Sequence, residues 1–172
     1  MVSYEIARQW YAQADAKRWQ VAAVAFRVVG LRTCGETLRL AEAIGRGVDT
    51  VENLAYAYTL FAELIRYKKT TESIRQLRRK FPYTRWAVIC KQWLNHEFEL
   101  DEALDWLENF SGGNAALSAE IENKHGSPEW ERRAYMTYKQ AYKLQTDFGV
   151  PDKLHKAAIE YVKAFEDWEK DL

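Results

Sequence analysis

The stretch Thr-Leu-Arg-Leu-Ala-Glu-Ala-Ile-Gly-Arg-Gly-Val-Asp-Thr-Val-Glu-Asn-Leu-Ala, residues 37 to 55, places two apolar stripes on either side of a glycine. Leu40, Ala41 and Ile44 fall on one face of a first helix, and Val51 and Leu54 on one face of a second. Gly45 follows the last apolar residue of the first stripe, where a left-handed backbone is cheap only for glycine. Asp49 or Thr50 can cap the second helix, and the small Ala41 permits a close crossing. The pattern predicts two helices crossing steeply around a tight turn, a helix-turn-helix.

Working outward, Trp19 to Val29 is almost wholly apolar, with Val21, Val24, Ala25 and Val28 at helical spacing, and reads as the central buried helix. Such a helix is what a helix-turn-helix needs, because its two helices cannot bury their apolar faces alone. Before it, Ser3 is placed to cap a helix carrying Ile6, Trp10 and Ala14 on one stripe. After the motif, the second helix is expected to run on from Thr50 through Leu54, Ala57, Tyr58, Phe61, Leu64 and Ile65 to Tyr67. Thr70 or Thr71 caps a thin-striped helix over Glu72 to Lys80, and Pro82 forces Phe81 out of the helical region. Thr84 caps the next helix, with Trp86, Ile89, Cys90 and Trp93 inward and Arg85 and Lys91 expected on the exposed side. Residues 71 to 94 thus read either as a core-forming hairpin or as a second DNA-contacting unit. Glu99 to Phe110 makes a short acidic helix with Leu100, Leu104 and Leu107 inward.

The wording from Gly45 through Arg46, Gly47, Thr50, Val51, Asn53 and Leu54 resembles the helix-turn-helix of the ParB/KorB partition proteins over about twenty residues. The helical material up to about residue 109 is loosely similar to the helices that follow that motif, and the family's preceding nuclease-like domain has no counterpart. The resemblance implies a recognition helix starting near Val48, with Val48, Asp49, Glu52 and Asn53 facing the groove and Arg46 and Thr50 touching phosphate beside Gly47. Asp49 and Glu52 are a departure: an acid can accept from cytosine, but it repels the phosphate backbone around it.

Net charge is zero, which excludes a generic polyanion binder, but the charges are unevenly placed. Residues 62 to 92 carry nine Lys and Arg against Glu63 and Glu72, a surplus of seven, whereas residues 93 to 113 carry six acids and no Lys or Arg. A basic block directly after a helix-turn-helix is where phosphate contacts belong, and Lys68, Lys69, Arg75, Arg78, Arg79, Lys80 and Arg85 are its candidates. The plainer alternative is that the basic and acidic segments pair with each other.

Other classes of function find little support. Gly45-Arg46-Gly47 lacks the third glycine, the lysine and the preceding strand of a phosphate loop, and no nucleophile constellation is recognisable, so neither catalysis nor a cofactor is expected. Cys34, Cys90, His96, His125 and His155 are too scattered for a structural zinc. The longest apolar run, Val21 to Phe26, is far short of a membrane span and no signal peptide is seen, so no membrane association and a cytoplasmic setting with reduced thiols are expected.

Ser111-Gly112-Gly113-Asn114 reads as a linker closing a helical domain over residues 1 to 110. Residues 115 to 172 then form a second helical unit: a modest helix from Ala115 to Lys124, and after Ser127-Pro128-Glu129 a hairpin of two long helices over 128 to 172. That hairpin either packs back on its own chain or forms a homodimer arm. The expectation is an all-α helical bundle that binds double-stranded DNA through a helix-turn-helix, in partition or transcription regulation. The alternative is a helical protein-protein interaction module without nucleic-acid binding.

Overall fold

The computed structural model describes residues 4–13, 15–30, 34–67, 71–96 and 98–126. These residues form an all-α fold of eight helices: α1 Glu5–Ala12, α2 Asp15–Gly30, α3 Cys34–Ile44, α4 Val48–Tyr67, α5 Thr71–Lys80, α6 Tyr83–His96, α7 Leu100–Asn109 and α8 Asn114–His125. No helix among them is long and apolar enough to cross a membrane.

The expected motif forms at α3 and α4. Leu40, Ala41 and Ile44 of α3 and Val51 and Leu54 of α4 are all buried. Gly45 takes φ +69°, the Arg46 N–H donates to the Ala41 carbonyl at 3.1 Å, and the Gly45 N–H donates to the Glu42 carbonyl at 3.2 Å. These paired bonds satisfy the last carbonyls of α3 and reverse the chain, the Schellman arrangement that a glycine makes inexpensive. Asp49 then supplies an acid to the first turn of α4, where the helix dipole favours it.

α4 is twenty residues long, about 30 Å by helical rise. From Leu54 through Phe61 every side chain is buried, so this part of the helix is apolar on all sides and must be enclosed on all sides. α2 and α6 do most of the enclosing, each packing along α4, while α3, α5 and α7 close the remaining gaps. An aromatic column ties the three central helices. Trp19 of α2 lies 5.7 Å from Phe61 of α4 and 5.3 Å from Trp86 of α6, ring centre to ring centre, and Phe26 lies 5.0 Å from Tyr58. Thr59, the polar residue in the buried run, donates its hydroxyl to the Ala55 carbonyl at 2.8 Å, so burial leaves it satisfied.

Two expectations about helix faces change. In α1 the inward stripe is Tyr4, Ala7 and Tyr11, not Ile6 and Trp10; Ile6 is 53 % exposed and Trp10 half-buried. The tyrosines win because each buries a ring and still satisfies its hydroxyl. Tyr4 donates to Glu36 at the start of α3, and Tyr11 hydrogen-bonds Tyr83. In α6, Arg85 is buried rather than exposed, for a reason given below.

Beyond Ser111, α8 packs on α6 with Leu117 and Ile121 fully buried in the same core as α4, and it ends at Gly126, φ +94°. The pair of helices expected over 128 to 172 lies outside the described residues. Because Gly45 holds a left-handed backbone that costs an L side chain about 1–2 kcal/mol, Gly45→Ala is expected to lower unfolding free energy by that amount in urea denaturation. An unchanged midpoint would show that the turn relaxes.

Candidate nucleic-acid interface

The start of α4 is where this core-forming helix meets solvent. Asp49 is exposed, Val48, Thr50, Glu52 and Asn53 are half-buried, and Val51 alone of the first six residues is fully inside. The motif residues expected to face a groove therefore share one accessible end with the exposed turn residues Arg46 and Gly47. The Asp49 carboxylate folds back toward Gly47, so closely that a Cβ there would sit 2.4 Å from its oxygen. Gly47 is thus the residue that lets the acid lie over the turn.

The candidate cations divide by position. Arg79 and Lys80 are exposed at the end of α5, Arg79 sits 4.0 Å from Glu72, and Arg75 is half-buried. Arg78 is buried, its guanidinium 4.8 Å from the centre of the Phe61 ring, so its charge rests on the core aromatic column. Arg85 is buried more elaborately. It lies between the rings of Phe81 and Phe110, 4.6 Å and 5.8 Å away, and donates to the Phe110 carbonyl and, at 3.4 Å, to the Trp106 carbonyl. Those carbonyls end α7, so a cation from α6 satisfies the negative end of the α7 dipole. Lys68 and Lys69 lie outside the described residues.

The acidic helix α7 has its own cationic partners. Glu102 accepts from Lys124 of α8 at 2.8 Å, from His125, and from the Trp106 indole at 3.1 Å. Burial pushes the Glu102 carboxyl up, but the hydrogen bonds from Lys124, His125 and Trp106 outweigh it and bring the pKa down to about 2. Phe98 and His96 stack in turn on and beside His125, at 4.9 Å and 5.5 Å. This knot fastens the end of α8 to α7.

Sequence reasoning passed over a further group beside the turn. Arg46 lies 5.6 Å and Arg18 4.9 Å from the centre of the Tyr11 ring. Tyr11 in turn hydrogen-bonds Tyr83 at the start of α6, whose hydroxyl burial pushes up while Arg18 and Arg46 pull it down. The α3–α4 turn and the α5–α6 corner are therefore joined at one end of the molecule. The alternation of aromatic and basic residues at Tyr11 and Arg18 was the available signal, but it spans the α1–α2 break and shows no helical period.

Among the described residues no group of three or more His, Cys, Asp or Glu is placed to hold a metal ion, and Cys90 is a buried free thiol. Comparison with known proteins matches no family model, no curated protein and no solved structure.

Two outcomes follow from the buried charges. Arg85→Ala leaves the α7 carbonyls without their donor and is expected to cost about 2–3 kcal/mol in chemical denaturation, with Arg85→Lys a poor substitute because lysine lacks the planar fork; a loss within measurement error would contradict the capping role. Glu102 is held below its ordinary 4.5, so the stability it contributes is present above that pH and drains away as pH falls toward about 2. Glu102→Gln is therefore expected to flatten the acid limb of a melting-temperature profile over that window, and an unaltered limb would refute the assignment.

Proposed function

We propose that this chain binds double-stranded DNA through α3, its glycine turn and the first two turns of α4. The observation that supports this most is the division of α4: wholly enclosed from Leu54 to Phe61, yet open from Val48 to Asn53 directly behind a Gly45 turn bearing Arg46. A rigid helix whose accessible end is fixed by its own buried middle can enter a major groove without paying to order itself. In this reading Val48, Asp49, Glu52 and Asn53 approach base edges, and Arg46, Thr50, Arg75, Arg79 and Lys80 meet phosphate. Arg78 and Arg85 act indirectly, holding α5 and α6 in place. Asp49 and Glu52 suit the exocyclic amine of cytosine and oppose the backbone, so the cations supply most of the affinity.

The resemblance of Gly45 to Leu54 to the ParB/KorB motif points the same way, toward partition or transcription regulation in the cytoplasm. A pair of copies associating through residues 128 to 172 would set two such turns on paired half-sites. The competing reading, a helical protein-protein interaction module, draws on the acids at the start of α4 and on the acidic α7.

Fluorescence polarisation against a pool of genomic duplexes at about 50 mM salt separates them. Tight binding with steep salt dependence is expected, and replacing Arg75, Arg79 and Lys80 together by Ala is expected to reduce the salt slope by about three. Absence of binding to any duplex under these conditions overturns the DNA reading and leaves the interaction module standing.

A further inference from the structure

Beside the α3–α4 turn lies an open concavity of about 710 Å³, walled by α1, the start of α2 and the end of α3. Arg8, Tyr11, Arg18 and Arg46 line it, together with Glu5 and Glu42. Arg8 and Arg46 are exposed and Arg18 is half-buried, while the Tyr11 ring between them is buried and hydrogen-bonded through its hydroxyl to Tyr83. Three guanidiniums from three different elements thus meet at one depression, two of them over the same fixed ring.

We propose that this concavity seats a phosphodiester of the DNA strand that flanks the groove entered by α4, an inference that rests on the DNA-binding reading above. A guanidinium resting on an aromatic ring turns its face to the ring and leaves its N–H edge free to present two parallel donors, the geometry that phosphate oxygens accept. Tyr11 is a positioning residue: pinned by Tyr83, it holds Arg18 and Arg46 in place and so reduces the side-chain ordering that binding would otherwise require. The seat adjoins the turn, so a strand whose groove receives Val48 to Asn53 runs past it. Glu5 and Glu42 set the selectivity. They keep the net charge of the wall at one positive, which disfavours retention of a free polyanion and makes a strand already fixed by α4 the suitable occupant. An acidic polypeptide, lacking planar-matched phosphate spacing and a groove for α4, is the weaker fit.

The experiment compares wild type, Arg8→Ala, Glu42→Gln and Tyr11→Phe by fluorescence polarisation on a short labelled duplex, with polyglutamate as competitor, over a series of salt concentrations. Both Arg8 and Glu42 are exposed, so their variants are expected to fold; circular dichroism checks this. Arg8→Ala is expected to weaken binding about tenfold at ~50 mM salt and to lower the salt slope by about one. Glu42→Gln is expected to strengthen binding about twofold, a gain that a folding defect cannot mimic. Tyr11→Phe, which removes the Tyr83 hydrogen bond but keeps the ring, is expected to weaken binding with the slope unchanged. Duplex binding by wild type with Arg8→Ala and Glu42→Gln both indistinguishable from it overturns the seat and spares the DNA-binding reading. No duplex binding by wild type overturns both, and displacement of the duplex by an equal charge of polyglutamate shows that the concavity takes acidic polypeptide instead.

Discussion

The enclosure of α4 is the constraint on which the other helices depend. Ala55, Tyr56, Ala57, Tyr58 and Leu60 point in every direction around the helix, and all are buried. No single partner can cover a helix that is apolar on all sides, so α2 and α6 must flank it, and they in turn need α1, α7 and α8 to cover their outer faces. Burying side chains of this size contributes about 1.5–3 kcal/mol each before entropy is subtracted, which makes this the dominant stabilising term among the described residues. The tilted rings of Trp19, Phe61 and Trp86 fix the spacing of the three central helices, since each prefers an edge or tilted approach to its neighbours.

The same constraint divides the basic residues into two kinds. Where an arginine falls near the aromatic column or a helix end, as Arg78 and Arg85 do, it is drawn in and used to close the structure. Where it falls on the turn or on the outer face of α5, as Arg46 and Arg79 do, it stays at the surface. A count of charge over residues 62 to 92 therefore overstates the positive surface, because a buried guanidinium committed to carbonyls and rings has little left for a partner. The acids of α7 are likewise committed in part: Glu102 belongs to the knot with Lys124 and His125, and Asp101 accepts from the Tyr67 hydroxyl at 3.0 Å.

Much of the architecture was legible in the sequence because it follows from period and punctuation. The apolar steps at Leu40, Ala41, Ile44, Val51 and Leu54, the glycine between them and the proline at 82 place α3, α4, α5 and α6 to within a few residues, and Gly126 ends α8 as expected. The face of α1 was not legible, since hydrophobicity ranks Ile6 above Tyr4 and Tyr11, whereas packing favours rings whose hydroxyls reach Glu36 and Tyr83. Nor was the burial of Arg85, because its partners are carbonyls at the far end of another helix, and backbone acceptors leave no trace in side-chain patterning. The grouping of Arg8, Arg18 and Arg46 was hidden for a related reason: the three lie on different elements, brought together by the turn at Gly45 and the α1–α2 reversal.

The central claim is that α4 is anchored by its middle and open for recognition at its start. Amide chemical-shift mapping by nuclear magnetic resonance during titration with a short DNA duplex tests it directly. The account requires perturbations centred on Arg46 to Asn53 and on the exposed end of α5, with Leu54 to Phe61, α7 and α8 unmoved. Shifts concentrated on α7, or spread evenly through the buried middle of α4, would contradict it.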